Sequence, residues 1–276
     1  MIRLMRPSDI GGLMRLKASA GWNQIRLDWE RLLRLEPSGC FVDDREGSPV
    51  GSTTVLRHGT DLAWVGMVVV LPEFRRMGVA RELMRHALGW LARRHAGALG
   101  LDATDMGRPL YEQLGFRSKE PVERWDRLPL GASSGGAARG PRVVPGAIEA
   151  MDLDACGYDR SALILDLAAD PCVESVMGSH GFAFGRPGSS AWQLGPCIAR
   201  DMDSAEPMIR DLLAPHAGRR VFWDLLPSNR PACEVARRLG FRPARRLTRM
   251  FLGTRKRPPA AAHPKRVYAI AGLEFG

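Results

Sequence analysis

Paired cysteines, lysines and long apolar runs are what this 276-residue chain lacks. Its five cysteines (Cys40, Cys156, Cys172, Cys197 and Cys233) are odd in number and form no C-x-x-C pair. That excludes a disulfide framework and a zinc signature, and it fits a reducing compartment. No run of 18 apolar residues occurs, so no helical membrane span is expected. The opening "MIRLMRPSDI" has no signal-peptide pattern, which makes a soluble cytoplasmic protein the expectation. No H-x-x-x-H or Cys/His spacing calls for a metal, and no G-x-S-x-G order points to a serine nucleophile.

Only four of the 40 basic residues are lysines, and Ala, Gly and Pro are abundant. The net charge of +10 and a pI near 10.1 suggest an anionic partner. The arginine skew reads as a coding bias as readily as a binding surface. The basic residues are scattered and not interleaved with aromatics. The densest run, "RKRPP" from Arg255, sits in a Pro/Ala-rich stretch. Nucleic-acid binding is therefore not expected. Hydrophobic content of 45% and charged content of 25% are those of a globular protein. The length suits two cores of about 130 residues each.

A shift to Gly, Ser, Ala and Pro in "LPLGASSGGAARGPRVVPG", Leu128 to Gly146, marks a linker. It predicts an N-terminal domain over 1–128, a linker over 129–146 and a C-terminal domain over 147–276. In the first part, "IRLMRP" predicts a strand. "SDIGGLMRLKASAG" predicts a helix capped by Ser8 or Asp9, and "RLDWERLLRLEPSG" a second one. Three strands follow, Cys40–Asp43, Val50–Arg57 and Leu62–Val70. The stripe Ala80, Leu83, Met84, Ala87, Leu88, Leu91 predicts an amphipathic helix from Gly78 to about Arg94. "ALGLDAT" reads as a strand, "RPLYEQLG" as a short helix and "FRSKEPVERWDRL" as a final strand or pair. In the second part, "YDRSALILDLAAD", "SAEPMIRDLLAPH" and "NRPACEVARRLG" read as helices. "GFAFGR", "SAWQLGPCIAR", "RRVFWDLL", "FRPARRLTRMFLG" and "KRVYAIAGLEF" read as strands.

The two parts repeat one order of elements. "LYEQLGFR" and "VARRLGFR" place Phe116 and Phe241 125 positions apart, and the same offset brings Thr104 onto Asn229 and Ala80 onto Ala205. Upstream, Gly66 and Gly195 lie 129 apart, so the second copy is four residues shorter between its central strand and the next helix. What it lacks there is the most informative segment of the first copy, "MVVVLPEFRRMGVARELM". A strand, a turn and a helix opening at Gly78 expose unpaired N–H groups and the positive end of a helix dipole, the makings of a phosphate site. Gly78 lets backbone approach an anion. Arg75 and Arg76 add charge, and Ala80 lets the helix pack closely under the loop.

"RRMGVA" resembles the R/Q-x-x-G-x-G/A pyrophosphate loop of the GNAT (GCN5-related) N-acetyltransferases, with Arg75, Gly78 and Ala80 at the matching positions. "VVVLPEFRR" and "PLYEQLGF" resemble that family's approach strand and later tyrosine helix. The tandem arrangement looks like a bacterial GNAT subgroup with a divergent second domain. The implied fold is α/β (α+β): tandem acyl-CoA N-acyltransferase folds, each a mixed, mostly antiparallel sheet flanked by helices. The implied co-substrate is acetyl-CoA, its pyrophosphate on Arg75, Arg76, Met77, Gly78, Val79, Ala80 and Arg81. Its pantetheine arm would lie along Val68, Val69 and Val70, where a backbone N–H could polarise the thioester carbonyl. Thr104 stands where a helper Asn is frequent. Tyr111 stands at the position of the general acid that protonates the departing thiolate. No metal is implied. Asp43, Asp44 and Glu73 are candidate general bases, with water as an alternative. Trp22 and Trp29 lie in helices that wall the acceptor pocket in the family, but core packing is the simpler account of either.

The second copy has no glycine and no arginine pair at its loop. Asp201 and Asp203 bring negative charge there, and Ala236 replaces the tyrosine. It reads as a degenerate half retained as a lid, pocket wall or dimer surface. "YDRS" at Tyr158 could turn a polar cluster towards the acceptor, or Asp159 could simply cap a helix. The expected activity is acetyl transfer to a primary amine of a small molecule, in a monomer or homodimer. A non-catalytic acyl-CoA sensor or scaffold and a protein N-acetyltransferase remain as alternatives.

Overall fold

The computed structural model describes residues 1–94, 97–131, 143–252 and 262–276. Most of the linker segment and the "RKRPP" run lie outside the described residues. In the first half the strands are β1 (Ile2–Leu4), β2 (Cys40–Arg45), β3 (Ser48–His58), β4 (Leu62–Val70), β5 (Ala98–Ala103) and β6 (Phe116–Arg127). The helices are α1 (Ile10–Ser19), α2 (Arg26–Leu35), α3 (Val79–Ala92) and α4 (Arg108–Gln113). The second half holds α5 (Ala147–Cys156), α6 (Ser161–Ala169), α7 (Met202–Leu213) and α8 (Arg230–Arg238). Its strands are β7 (Glu174–Gly178), β8 (Gly181–Arg186), β9 (Trp192–Ala199), β10 (Val221–Leu225), β11 (Arg242–Leu252) and β12 (Val267–Ala269).

Periodicity placed most of these elements. It did not mark α5 or β7, whose short segments carry little regular apolar pattern. The strand expected from "KRVYAIAGLEF" shrinks to the three residues of β12. Asp9 does not cap α1. Its carboxylate accepts instead from the Arg6 N–H at 2.7 Å and holds the Arg3 guanidinium. Asp159 accepts from the Ser161 N–H at 2.9 Å at the start of α6, so "YDRS" serves a helix end.

The strands form one mixed, mostly antiparallel sheet in the order β1-β2-β3-β4-β5-β11-β6-β10-β9-β8-β7, with β12 paired to β9. The halves are joined by exchange. β11, from the second half, lies between β5 and β6 of the first, and β6 in turn pairs with β10 of the second. The cores record the same exchange. Met250 of β11 packs under α3 with Leu83, Leu101 and Phe116. Trp125 of β6 packs under α7 and α8 with Leu212, Trp223 and Phe241. A third cluster belongs to both halves, with Trp29, Leu32, Leu163, Phe184, Ile270 and Phe275. Two bidentate ion pairs cross the exchange: Arg124 on β6 with Asp224 on β10 at 2.8 and 2.7 Å, and Arg249 on β11 with Asp102 on β5 at 2.9 Å for both bonds.

Candidate active site

β4 pairs with β5 only from Leu62 to Trp64 and then diverges from it. Beyond that point its Val65–Val70 stretch has β3 on one side and, among the described residues, no strand on the other. A register shift against β3 between Ser52 and Thr54 sits opposite Met67, which has a φ of 52°. Ser52 Oγ donates to the Met67 carbonyl at 2.8 Å and holds this bulge. Bulges re-aim backbone groups at sites of this kind.

Eight residues, 71–78, link β4 to α3. Gly78 precedes α3 with a φ of 86°, a left-handed conformation that favours glycine, and no side chain caps the helix. Its first N–H groups therefore remain free for an anion. Arg75 Nε donates to the Val70 carbonyl at 3.1 Å, which ties the loop to the strand end. Arg81 reaches Gln113 on α4.

These elements border one cleft of about 1010 Å3. Val68, Val69, Val70, Arg75, Arg76, Gly78, Val79, Ala80, Arg81, Thr104 and Tyr111 all line it. Met77 does not; its side chain is exposed and only its backbone belongs to the loop. Thr104 Oγ1 accepts from the Gly107 N–H at 3.2 Å at the start of α4. The Tyr111 ring, on α4, packs edge-on against Phe116 at 6.0 Å, and burial pushes its phenol pKa up, keeping it protonated. Among the described residues, no group of three or more acidic, histidine or cysteine side chains is gathered as for a metal ion.

In the second half, two residues, 200–201, link β9 to α7, six fewer than the eight of the first half where four fewer were expected, because α7 begins earlier than α3 on the repeat's offset. Asp201 caps α7 by accepting from the Ser204 N–H at 2.9 Å. Hydrogen bonds from Ser204 and then Arg200 hold its carboxylate ionised, with a pKa of about 2. An internal anion thus takes the place that an anionic ligand would occupy. β9 lies beside β10 only from Trp192 to Leu194, and β12 enters the gap beyond. Ala269 pairs with Cys197, the Ile270 N–H donates to the Asp224 carbonyl at 3.0 Å, and Trp223 Nε1 donates to the Tyr268 carbonyl at 2.8 Å. The slot that is open in the first half is filled in the second by the chain itself.

The GNAT acetyltransferase family model matches residues 14–116, and a second GNAT acetyltransferase domain model matches residues 148–269. The chain belongs to the GNAT acetyltransferase family. This GNAT protein is 26% identical over 224 residues, 78% of either chain, to the uncharacterised N-acetyltransferase YitH of Bacillus subtilis. A crystal structure from Pyrococcus horikoshii, provisionally described as an acetyltransferase, shares the fold with a TM-score of 0.84. The two are 22% identical, and the match covers 100% of this chain and 95% of that one. A tandem GNAT protein from the clavulanic acid biosynthesis pathway matches with a TM-score of 0.62 at 16% identity, over 93% of this chain and 99% of that one. GNAT enzymes are acyl-CoA-dependent N-acyltransferases, so this chain is an acetyltransferase whose family uses acetyl-CoA and amine acceptors.

Several lining residues of the GNAT cleft were not singled out in the sequence. Ser19 and Gln24 come from the end of α1 and the loop after it. Arg124, Arg245, Leu247, Leu273 and Glu274 come from β6, β11 and the segment after β12. Trp22 lines the cleft, whereas Trp29 is fully buried in the shared core. None of the three carboxylates named as candidate bases reaches it. Asp43 binds Arg45 at 3.1 Å, Asp44 binds Arg3 at 2.7 Å, and Glu73 is exposed before α3. No local signal could have found Glu274, because the topology alone carries it to β4.

Proposed function

We propose that residues 1–128 form the catalytic half and that it transfers acetyl from acetyl-CoA to a primary amine of a small molecule. Residues 147–276 then hold no acetyl-CoA of their own and complete the cleft. The observation that carries this reading is the conjunction in one cleft of an uncapped helix N-terminus, an unpaired strand edge and a buried phenol. The N-terminus of α3, with Arg75, Arg76 and Arg81, suits the pyrophosphate. The edge from Val68 to Val70 suits the peptide-like pantetheine arm, and the bulge at Met67 offers backbone N–H groups for a thioester oxyanion. The amine attacks the carbonyl carbon, the C–S bond breaks, and Tyr111 gives its proton to the departing thiolate. The acetylated nitrogen loses its surplus proton, and Tyr111 is reprotonated from solvent. A cleft walled by both halves, by Trp22 and Gln24 from the first and Leu247 and Leu273 from the second, favours a small acceptor over a protein chain.

The test is thiol release from acetyl-CoA with a panel of primary amines, alongside calorimetry of acetyl-CoA binding. Turnover with tight binding supports the reading; binding without release for any amine supports a sensor instead. Tyr111→Phe is expected to lower kcat by about 100-fold, within the range for loss of a general acid, with acetyl-CoA affinity nearly unchanged. A variant as active as the parent across the pH range would remove the acid role.

A further inference from the structure

The acceptor of a GNAT reaction arrives as an ammonium ion and must lose a proton before its nitrogen can attack. Among the described residues, two carboxylates line the cleft, Asp102 and Glu274. Asp102 is held by both bonds of Arg249. Glu274 reaches the cleft from the second half, on the segment that has just filled the gap between β9 and β10.

That segment is fixed against the first half by backbone contacts. Trp64 Nε1 donates to the Leu273 carbonyl at 3.0 Å, and the His58 ring binds the Phe275 carbonyl at 2.7 Å. Between them, Glu274 lies directly over Gly66 of β4. A Cβ at Gly66 would stand 2.6 Å from the Glu274 carbonyl oxygen and 3.1 Å from its Cα. The missing side chain on β4 is therefore what lets the Glu274 backbone pack against the strand one residue before the bulge at Met67. Glu274 is 4% exposed. Arg186 Nη2 on β8 donates to its Oε1 at 2.9 Å, and Gln24 Nε2 donates to its Oε2 at 2.9 Å. Asp28 on α2 and Arg124 on β6 act on it through space. Asp28 in turn faces Arg31, Arg186 and Lys17.

We propose that Glu274 is the general base of the first half's reaction, receiving the acceptor's ammonium proton, and that the second half is retained to deliver it. The assignment rests on the acetyltransferase reading of the cleft. The proton passes from the ammonium nitrogen to the carboxylate and on to solvent, and the neutral amine then forms the C–N bond as the C–S bond breaks. Burial, reinforced by Asp28, raises the pKa of this carboxyl although Arg186 and Gln24 oppose it, which brings it nearer to that of an amine.

The experiment compares the full chain with Glu274→Gln and Gln24→Leu, using benzylamine and hydroxylamine as probe acceptors at saturating acetyl-CoA. Benzylamine is an ammonium at neutral pH, whereas hydroxylamine is already neutral. Glu274→Gln is expected to lower kcat/KM for benzylamine by about 100-fold and to move the acid limb of its pH profile up to the titration of benzylamine itself. Hydroxylamine should lose less than about threefold, and acetyl-CoA affinity should hold. Gln24→Leu removes a bond that favours the carboxylate, so the acid limb should move to higher pH. Equal losses for both probes, or an unmoved acid limb in both variants, overturn the assignment and leave the enzyme reading standing. A parent chain that binds acetyl-CoA but acetylates neither probe overturns both.

Discussion

His58 shows how single residues anchor the segment that carries Glu274. It is fully buried, and because a carbonyl only accepts, Nε2 must carry the proton donated to Phe275. Burial, with Arg160 nearby, lowers its pKa from 6.5 to about 4. The unfolded chain therefore binds the proton more readily than the folded one. Stability from this residue is fully present above pH 6.5 and is lost as pH falls towards 4. The shift corresponds to roughly 3 kcal/mol, at 1.36 kcal/mol per pKa unit. His58→Gln keeps an N–H donor but does not titrate. Denaturant unfolding at pH 7 and pH 4.5 should show the parent losing about 2–3 kcal/mol more than the variant. Equal losses would mean that His58 titrates in the fold as it does in the unfolded chain. Position 111 makes the same point in side-chain identity. Tyr111 borders the open cleft, whereas Ala236, its counterpart, is fully buried in a core with Trp223 and Phe241.

Two helices that follow equivalent strands start differently, and that difference decides what each half can hold. Gly78 leaves the N-terminus of α3 uncapped, while Asp201 caps α7 with its own carboxylate, and β12 lies in the adjoining gap. Calorimetry should therefore find one acetyl-CoA per chain. It should still find one in Asp201→Ala, because removing the cap does not evict β12. Two equivalent sites in the parent would overturn this account of the second half. The strand–loop–helix unit around Gly78 was legible because its signals are local: a β-branched run, a proline turn, a glycine and an apolar stripe. The same holds for the tyrosine helix and the repeat. Glu274, Arg245 and Leu247 were not legible, because their places depend on which strands pair. The strand expected there is longer than β12 because "KRVYAIAGLEF" is apolar through burial between the halves, and after Ile270 its carbonyls are held by the side chains of Arg186, Trp64 and His58 rather than by a ladder. The candidate bases failed for a related reason: strand-end acids are common, and here arginines hold two of the three.

At the scale of the whole molecule, the repeat is one interlocked body. Without β11, the first half would lose the strand that separates β5 from β6. Met250 would leave its core, and Asp102, whose side chain is 0% exposed, would lose Arg249. A buried charge stripped of its partner costs about 3–5 kcal/mol, a large share of the 5–15 kcal/mol by which folded domains are stable. The second half would suffer the mirrored loss, with β6 gone and Asp224 left without Arg124. Sequence composition marks 129–146 as the natural place to divide the chain, yet the sheet does not divide there. A chain split into 1–128 and 147–276 and produced together should therefore co-purify as a one-to-one complex that binds acetyl-CoA. Each fragment produced alone should lack a cooperative unfolding transition. A folded, monomeric 1–128 fragment that binds acetyl-CoA would show the exchange to be dispensable. A complex that binds acetyl-CoA, set beside one whose 147–276 fragment carries Glu274→Gln and assembles as well but turns over benzylamine about 100-fold more slowly, would separate the two services of the second half: completing the sheet and supplying the carboxylate.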